Sequence, residues 1–173
     1  MTDVPETALD LARARLDAAG VHYEVAEHAA TYTAADEARA VGHELPETAK
    51  TLVLVERGQV RLAVVPASQR LDLERARRAL RAGGHLRLAT EEEVAHSFPE
   101  FEVGALPPFA ARALPEVIDI RLLYHERVLC AAGDHRHSVL LDPRELLRLA
   151  EPRVADICVH AAGDHRFADV PRV

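Results

Sequence analysis

Apolar residues recur along the chain either at helical spacing or at every second position. The places where one pattern gives way to the other predict the order of helices and strands. Apolar positions between residues 8 and 16 repeat at helical spacing, which predicts a helix that ends at Gly20. Residues 21–28 alternate with a period of two, as strands do. A shorter helix is predicted to begin after Thr33, whose hydroxyl suits a helix cap, and to end at Gly42.

The strongest strand signal lies in the middle of the chain. Two β-branched apolar runs, 51–55 and 60–66, flank the turn residues ERGQ, and this pattern predicts a β-hairpin. Asp72 suits the cap of a following helix, and two glycines at 83 and 84 suit its end. A short strand and a helix that Thr90 opens are predicted next.

The second half of the chain begins with an irregular segment. Residues 98–116 are rich in Pro and Gly, which disfavours a regular element there. Residues 117–124 and 127–133 are largely apolar runs around a short polar link, and they predict a second hairpin. Another strand at 137–141 and a helix that Asp142 caps complete the pattern.

Helices and strands are interspersed, but two or three of the connections are hairpins. This combination predicts one α/β (α+β) domain, with a mixed, largely antiparallel sheet or barrel surrounded by helices, and disfavours a doubly wound parallel fold. The domain is expected to cover residues 1–150, and residues 151–173 are expected to form a C-terminal appendage. The segment AAGDHR occurs twice, at 131–136 and 161–166, and a single recurrence does not indicate a solenoid.

Composition narrows the class of protein. The 173-residue chain is long enough for one domain with a core, and 49% of its residues are hydrophobic. No apolar run approaches the ~18 residues that span a bilayer, and no secretory signal is visible. The thiols of Cys130 and Cys158 fit a reducing compartment, so we expect a cytoplasmic protein without a membrane partner. The net charge of −7 argues against nucleic-acid binding through bulk charge, and DNA is not expected as a partner.

Lys50 is the only lysine in a chain that contains 20 arginines. It lies just before the first strand of the predicted hairpin, and either function or chance could have kept it there. The later segment GALPPF contains Gly104, which allows a close backbone approach, and Pro107 and Pro108, which stiffen the loop. A lysine at a strand edge beside exposed amides could polarise an anionic or ester oxygen. Such a loop is more often only a turn.

Several motifs and their order along the chain resemble the YbaK family of trans-editing aminoacyl-tRNA deacylases. This family is related to the editing domain of bacterial prolyl-tRNA synthetases. They are EH at 27–28 with the following TYT, TAKTLVL, the G-x-x-x-P element in FPEFEVGALPPF, and the closing DPRELLRL helix. The resemblance covers roughly residues 8–150. It implies hydrolysis of the ester between a wrong amino acid and the 3′ end of a tRNA, for example proline tRNA carrying Cys or Ala. It implies that no cofactor is needed and that aminoacyl-tRNA is the partner. It leaves open whether a synthetase is a partner as well.

The resemblance also implies roles for individual residues. Lys50 matches the lysine of the family's active-site pocket, and Gly104 begins the loop whose backbone contacts the aminoacyl group or the ribose. Backbone amides around Ala105 are expected to stabilise an oxyanion. The other positions expected to contact the substrate are His28, Tyr32, Thr33, Ala105, Leu106, Pro107, Pro108, His137 and Ser138.

Several points stay open at this stage. Some family members carry an acidic residue where this chain has Ser138, so the amino-acid substrate is open, and the nucleophile is either water or a substrate thiol. His28 could equally orient its loop, and Thr33 could simply cap a helix. Arg77 and Arg81 would share one face of a predicted helix and could contact tRNA phosphates, although a solvated face is the more common explanation.

Two alternative functions remain. The first is a non-catalytic module of the same fold that binds a tRNA end or a small ligand without turnover. The second is a metal-dependent hydrolase that uses His135, His137 and the two cysteines. The spacing of those residues matches no recognised ligand pattern, so the sequence predicts no metal site.

Overall fold

The computed structural model describes residues 7–111 and 113–161, which form two β-sheets flanked by five α-helices. The helices are α1 (Ala8–Ala18), α2 (Ala34–Val41), α3 (Leu73–Ala79), α4 (Glu91–Ser97) and α5 (Pro143–Ala150). The strands are β1 (Tyr23–Glu27), β2 (Ala49–Glu56), β3 (Gln59–Pro66), β4 (Leu86–Leu88), β5 (Glu116–Asp119), β6 (Val128–Ala131), β7 (His137–Leu141) and β8 (Arg153–Ala155). Two 3₁₀ turns span Leu45–Glu47 and Ile120–Tyr124. Within the described ranges no helix has the length and apolar character to cross a membrane.

The two sheets differ in strand direction. The smaller sheet has the order β1-β7-β6 and is antiparallel throughout. The larger sheet has the order β4-β2-β3-β5-β8, with antiparallel pairs up to β3 and parallel pairs beyond it. An isolated parallel bridge between Thr48 and Leu129 joins the sheets at one corner. The predicted mixed α/β fold in a single domain is confirmed.

The hairpin of β2 and β3 was predicted correctly, because its turn chemistry is local. Its register runs from Ala49 opposite Pro66 to Glu56 opposite Gln59. The turn residue Arg57 has a φ of 49° and the following glycine 76°, and two positive φ values are what the tightest hairpin turns require.

The second predicted hairpin, between 117–124 and 127–133, is wrong. β5 lies in the large sheet, parallel to β3 and β8, whereas β6 pairs with β7 in the small sheet. The strand ends at Asp119 because its carboxylate accepts a hydrogen bond from the Arg121 amide and caps the 3₁₀ turn that follows. Apolar residues continue through this turn, so the pattern of the sequence does not show that the strand ends there.

The described part of the predicted appendage packs against the domain. β8 pairs with β5, and Ile157 and Cys158 are fully buried in a core cluster that includes Ala76 of α3. The Asp119 carboxylate accepts hydrogen bonds from the Ile157 amide and the Cys158 thiol. Residues 162–173, which contain most of the second AAGDHR segment, lie outside the described residues.

Glu116 is a buried carboxyl in the large sheet whose Oε2 atom has no hydrogen-bond partner. Burial raises its pKa from 4.5 to about 8, because no nearby charge or donor offsets the lost hydration. Since the folded-state pKa is the higher one, the protonated form stabilises the fold fully below about pH 4.5, and this contribution is lost as the pH rises through about 8.

We expect Glu116→Gln to remove this pH dependence. The variant should match or fall slightly below the parent protein near pH 4.5, and should gain on the order of 3 kcal/mol relative to it by pH 7. Urea denaturation at several pH values measures the difference, with Glu44→Gln as the control at an exposed glutamate. Equal pH dependence of unfolding in Glu116→Gln and the parent would contradict the assignment.

Candidate active site

Two connected depressions lie between the segment that follows β1, the loop around Gly104 and the β6–β7 turn. The inner cleft is partly open and has about 210 Å³ of empty space. It is lined by His28, Thr31, Tyr32, Thr33, Glu37, Gly104, Ala105, Ala131, Asp134 and His135. The outer groove is open and larger, with about 940 Å³ of empty space. It is lined by Ala30, Tyr32, Glu102, Val103, Asp134, His135 and Arg136.

The first wall of the cleft is the segment between β1 and α2. The His28 amide donates to the Arg136 carbonyl, and the Thr31 amide donates to the His135 carbonyl, each at 2.9 Å. These bonds extend the pairing of β1 with β7 towards the turn. Tyr32 is 71% exposed, and its ring centroid lies 4.8 Å from that of His135. Tyr32 therefore stands at the boundary between the inner cleft and the outer groove.

Thr33 both lines the cleft and begins α2. Its hydroxyl accepts a hydrogen bond from the Asp36 amide, which confirms the predicted helix cap. The cap fixes where α2 begins, and Glu37 lies in the first turn of that helix. Glu37 is buried, in contrast to the half-exposed carboxylate of Asp36.

The second wall is the loop around Gly104, which is held against the β6–β7 turn. The Glu102 amide donates to the Gly133 carbonyl at 2.8 Å, and the Gly133 amide donates to the Ala105 carbonyl at 3.0 Å. The Ala105 amide donates to Glu102 within the loop. The Ala105 amide itself is therefore already engaged, and an oxyanion donor among the other amides around Ala105 stays a prediction. Among the described residues, the Gly104 amide has no acceptor.

The third wall is the β6–β7 turn, which Asp134 organises. Its carboxylate accepts hydrogen bonds from the amides of Arg136 and His137 at 2.7 and 2.8 Å, and the His137 Nδ1 atom lies 2.8 Å from it. The His135 amide donates to the Glu102 carboxylate at 2.9 Å. The turn is thus tied to the Gly104 loop by side-chain as well as backbone contacts. His137 does not line the cleft, because its ring faces Asp134.

A row of three side chains lies at the edge of the inner cleft. The His28 Nε2 atom lies 2.8 Å from Ser138 Oγ, and the Ser138 hydroxyl is hydrogen-bonded to the Glu37 carboxylate. Ser138 is fully buried and Glu37 nearly so. Burial raises the pKa of Glu37, while the Ser138 hydrogen bond and the charges of His28 and His135 act to lower it. The sequence analysis missed Glu37.

Lys50 lines neither depression. It is the second residue of β2, half-buried, opposite Val65. Thr48, two residues before Lys50, forms an isolated parallel bridge with Leu129 of β6. Ala131, two residues after Leu129, lines the inner cleft. Within the described ranges Lys50 forms no ion pair, so its ammonium is not committed to a carboxylate.

The structure brings some of the predicted site residues together and separates others. Five of them line the inner cleft, namely His28, Tyr32, Thr33, Gly104 and Ala105. Three neighbours in the same loop, Leu106, Pro107 and Pro108, are buried and do not line it. Ser138 does not line the inner cleft, but it is hydrogen-bonded to two residues that do, His28 and Glu37.

Arg77 and Arg81 do not line either depression. α3 ends at Ala79, and Arg81 lies beyond it with a φ of 52°, so the two arginines do not share a helix face as predicted. The Arg77 guanidinium donates to the Glu74 carboxylate at 2.8 Å and to the Ala82 carbonyl at 3.0 Å. Contact of these residues with tRNA stays a prediction.

The cysteines and histidines do not form a ligand cluster. Cys130 and Cys158 are buried free thiols, and burial raises the pKa of each. Within residues 7–111 and 113–161, no group of three or more His, Cys, Asp or Glu side chains is arranged to hold a metal ion.

Comparisons with known proteins point to one family. A sequence profile of the aminoacyl-tRNA editing domain matches residues 28–149. A solved structure described as a candidate trans-editing enzyme for prolyl-tRNA synthetase is 36% identical, with a TM-score of 0.78, and the match covers 88% of this chain and 98% of that one. A scaffold protein used for computational grafting of linear epitopes is 30% identical, with a TM-score of 0.78 over 89% and 98% of the two chains.

A further solved structure, of a hypothetical protein, is 28% identical, with a TM-score of 0.77 over 85% of this chain and 98% of that one. A comparison with curated protein sequences gives no match. In each of these three solved structures, 98% of the chain is covered by the match.

We expect Gly104→Ala to destabilise the protein and to narrow the cleft. Gly104 has a φ of +88°, and a Cβ there would lie 3.4 Å from His135 Cε1. The strained backbone should cost about 1–2 kcal/mol of unfolding free energy. Gly83→Ala is the matched control, because Gly83 has open space around it and no positive φ. Equal unfolding free energies for the two variants in denaturant titrations would contradict the strain argument.

Proposed function

The chain belongs to the aminoacyl-tRNA editing domain family, and from this premise we propose that it is a trans-editing aminoacyl-tRNA deacylase. It hydrolyses the ester between a wrongly attached amino acid and the 3′ end of a tRNA. The observation that carries the proposal is the Gly104 amide, which lies at the wall of a narrow cleft and has no acceptor among residues 7–111 and 113–161. A preorganised donor of this kind stabilises the oxyanion that ester hydrolysis forms.

Lys50 supplies the positive charge in this proposal. Among the described residues its ammonium is not paired with a carboxylate, and Lys50 lies two residues after Thr48, whose bridge to Leu129 joins the two sheets. A compact ammonium in this place can reach the ester or the neighbouring phosphate as charge develops there. A guanidinium is larger and planar, so it would occupy space that the acyl group needs.

The outer groove is the proposed seat of the tRNA 3′ end. Tyr32 offers an exposed ring on which a nucleobase can stack, and the same groove is lined by Arg136, whose guanidinium can contact a phosphate. The acyl group would then enter the inner cleft between His28 and Gly104. Arg77 and Arg81 remain candidates for contact with more distant parts of the tRNA.

The size of the inner cleft favours a small amino acid. Its empty volume of about 210 Å³ has little room beyond a small side chain and the ester itself. The likeness to a candidate trans-editing enzyme for prolyl-tRNA synthetase supports proline tRNA as the substrate, and a wrongly attached alanine or cysteine is small enough for the cleft. A synthetase as a partner and a cytoplasmic location belong to the same proposal. The rival function is a binding module of the same fold without turnover, which the absence of Lys50 from the cleft lining favours.

We expect purified protein to deacylate proline tRNA charged with alanine or cysteine, and not correctly charged tRNA. Lys50→Ala should lower kcat/KM by about 10² or more, as expected for loss of one electrostatic donor, and Lys50→Arg should not restore it. Arg13→Ala removes an exposed cation on α1 and serves as the control. Circular dichroism and thermal melting establish that each variant folds. Full activity of folded Lys50→Ala would contradict the role of Lys50, and tRNA binding without cleavage by the parent protein would favour the rival.

We expect Tyr32→Ala to weaken binding of the tRNA end, whereas Tyr32→Phe should retain it. Stacking of one base on an aromatic ring contributes about 1–3 kcal/mol, so the KM should rise roughly 5- to 150-fold with a smaller change in kcat. Tyr124→Ala is the control, because Tyr124 is exposed to a similar degree at 67% and lines neither depression. Equal KM values for the Tyr32 and Tyr124 variants would exclude the stacking contact.

A further inference from the structure

Glu37 is a carboxyl group in an unusual place for a residue of a short surface helix. It is 7% exposed and lines the inner cleft. Its hydrogen bond comes from Ser138, a residue 101 positions later in the chain. A buried carboxyl in a cleft, with a specific hydrogen-bonded partner, is the arrangement in which proton transfer is commonly carried out.

The hydrogen bonds around Ser138 restrict where the protons lie. The His28 Nδ1 atom is 2.8 Å from the Ala29 carbonyl, which only accepts, so Nδ1 carries a proton. The Ser138 hydroxyl has one hydrogen for two neighbours, His28 Nε2 and the Glu37 carboxylate. If it donates to Glu37, Nε2 must donate to the serine oxygen. If it donates to Nε2, the Glu37 carboxyl must itself carry a proton.

These two arrangements contain the same number of protons. They differ only by the shift of two protons along the row from His28 through Ser138 to Glu37. In the first arrangement Glu37 is a carboxylate beside an imidazolium, and in the second both groups are neutral. Ser138 therefore couples the charge of Glu37 to that of His28, although the two do not touch.

We propose that Glu37 is the catalytic base that accepts a proton from the attacking water, and that Ser138 and His28 are positioning residues that hold its carboxylate ready. This inference rests on the proposed deacylase function and selects water over a substrate thiol as the nucleophile. Glu37 lines the same inner cleft as Gly104, so one cleft holds both the base and the oxyanion donor.

The step balances with the groups present. Glu37 takes one proton as the water oxygen bonds to the ester carbonyl carbon, and the carbonyl electron pair moves to its oxygen beside the Gly104 amide. When the carbonyl re-forms, the bond to the ribose oxygen breaks, and the proton held by Glu37 passes to that oxygen. The products are the free amino acid and a tRNA with an intact hydroxyl, and Glu37 returns to its carboxylate form.

The pH dependence follows from the groups around Glu37. The titratable side chains that face it from neighbouring elements are His28 after β1, Cys130 on β6, and Asp134 and His135 in the β6–β7 turn. Burial keeps the Cys130 thiol protonated, because it raises the pKa. Burial also raises the pKa of Glu37, whereas the Ser138 hydrogen bond lowers it. Activity should therefore fall as the pH drops through the raised pKa, and loss of Ser138 should move that fall to higher pH.

The test is the pH profile of kcat/KM on a misacylated tRNA that the parent protein cleaves. Glu37→Gln should lose about 10²–10⁴ in kcat/KM together with the acid limb of the profile. Ser138→Ala should shift the acid limb of the profile to higher pH, because the hydrogen bond that lowers the pKa of Glu37 is lost, and a merely structural role would not do this. Glu27→Gln, an exposed carboxylate next to His28, should retain the parent profile.

The carboxyl carbon of Glu37, identified by its absence in Glu37→Gln, provides a readout by NMR that does not depend on activity. Its titration should lie above that of exposed glutamates and should move further up in Ser138→Ala. An unshifted titration, or a folded Glu37→Gln variant with the parent acid limb, would overturn the role of Glu37 while leaving the deacylase function intact. A parent protein that cleaves no misacylated tRNA would instead overturn the proposed function itself, and the catalytic role of Glu37 with it.

Discussion

The backbone at Gly133 is the constraint on which the cleft depends. Its φ is +102°, and a Cβ there would lie 2.6 Å from the Phe101 ring, so a side chain fits only if the core moves. This close approach lets Gly133 exchange hydrogen bonds with Glu102 and Ala105 on both sides of Gly104. The Gly104 loop and the β6–β7 turn are thereby held at a fixed separation. The inner cleft lies between them, and its wall includes Gly104, whose amide has no acceptor among the described residues.

Burial has opposite consequences for two carboxyl groups of this fold. Glu116 lies in the large sheet with one oxygen unpaired, and its raised pKa makes it a source of instability at neutral pH. Glu37 is also buried, but its hydrogen bond to Ser138 and the nearby charge of His28 offset part of the lost hydration. Glu37 lines the inner cleft, whereas Glu116 lines neither of the two depressions. Loss of hydration therefore destabilises the fold at Glu116, whereas at Glu37 it adjusts the proton affinity of a carboxyl group in the cleft.

The sequence was sufficient where the deciding interactions are local. The hairpin of β2 and β3, the cap at Thr33 and the mixed fold class all follow from turn chemistry and periodicity, and all are confirmed. The failures involve partners distant in the chain. The parallel pairing of β5 could not be read from its apolar run, and Glu37 was missed because Ser138 lies 101 residues away.

The location of the bound acyl group tests the central claim most directly. An analogue in which an amide replaces the ester between alanine and the ribose of adenosine resists hydrolysis and can be titrated into ¹⁵N-labelled protein. We expect the largest shift changes at the Gly104 amide, at the β6–β7 turn and in the segment 28–33. Saturable binding that leaves Gly104 unchanged and shifts α3 or the far edge of the large sheet would contradict the account.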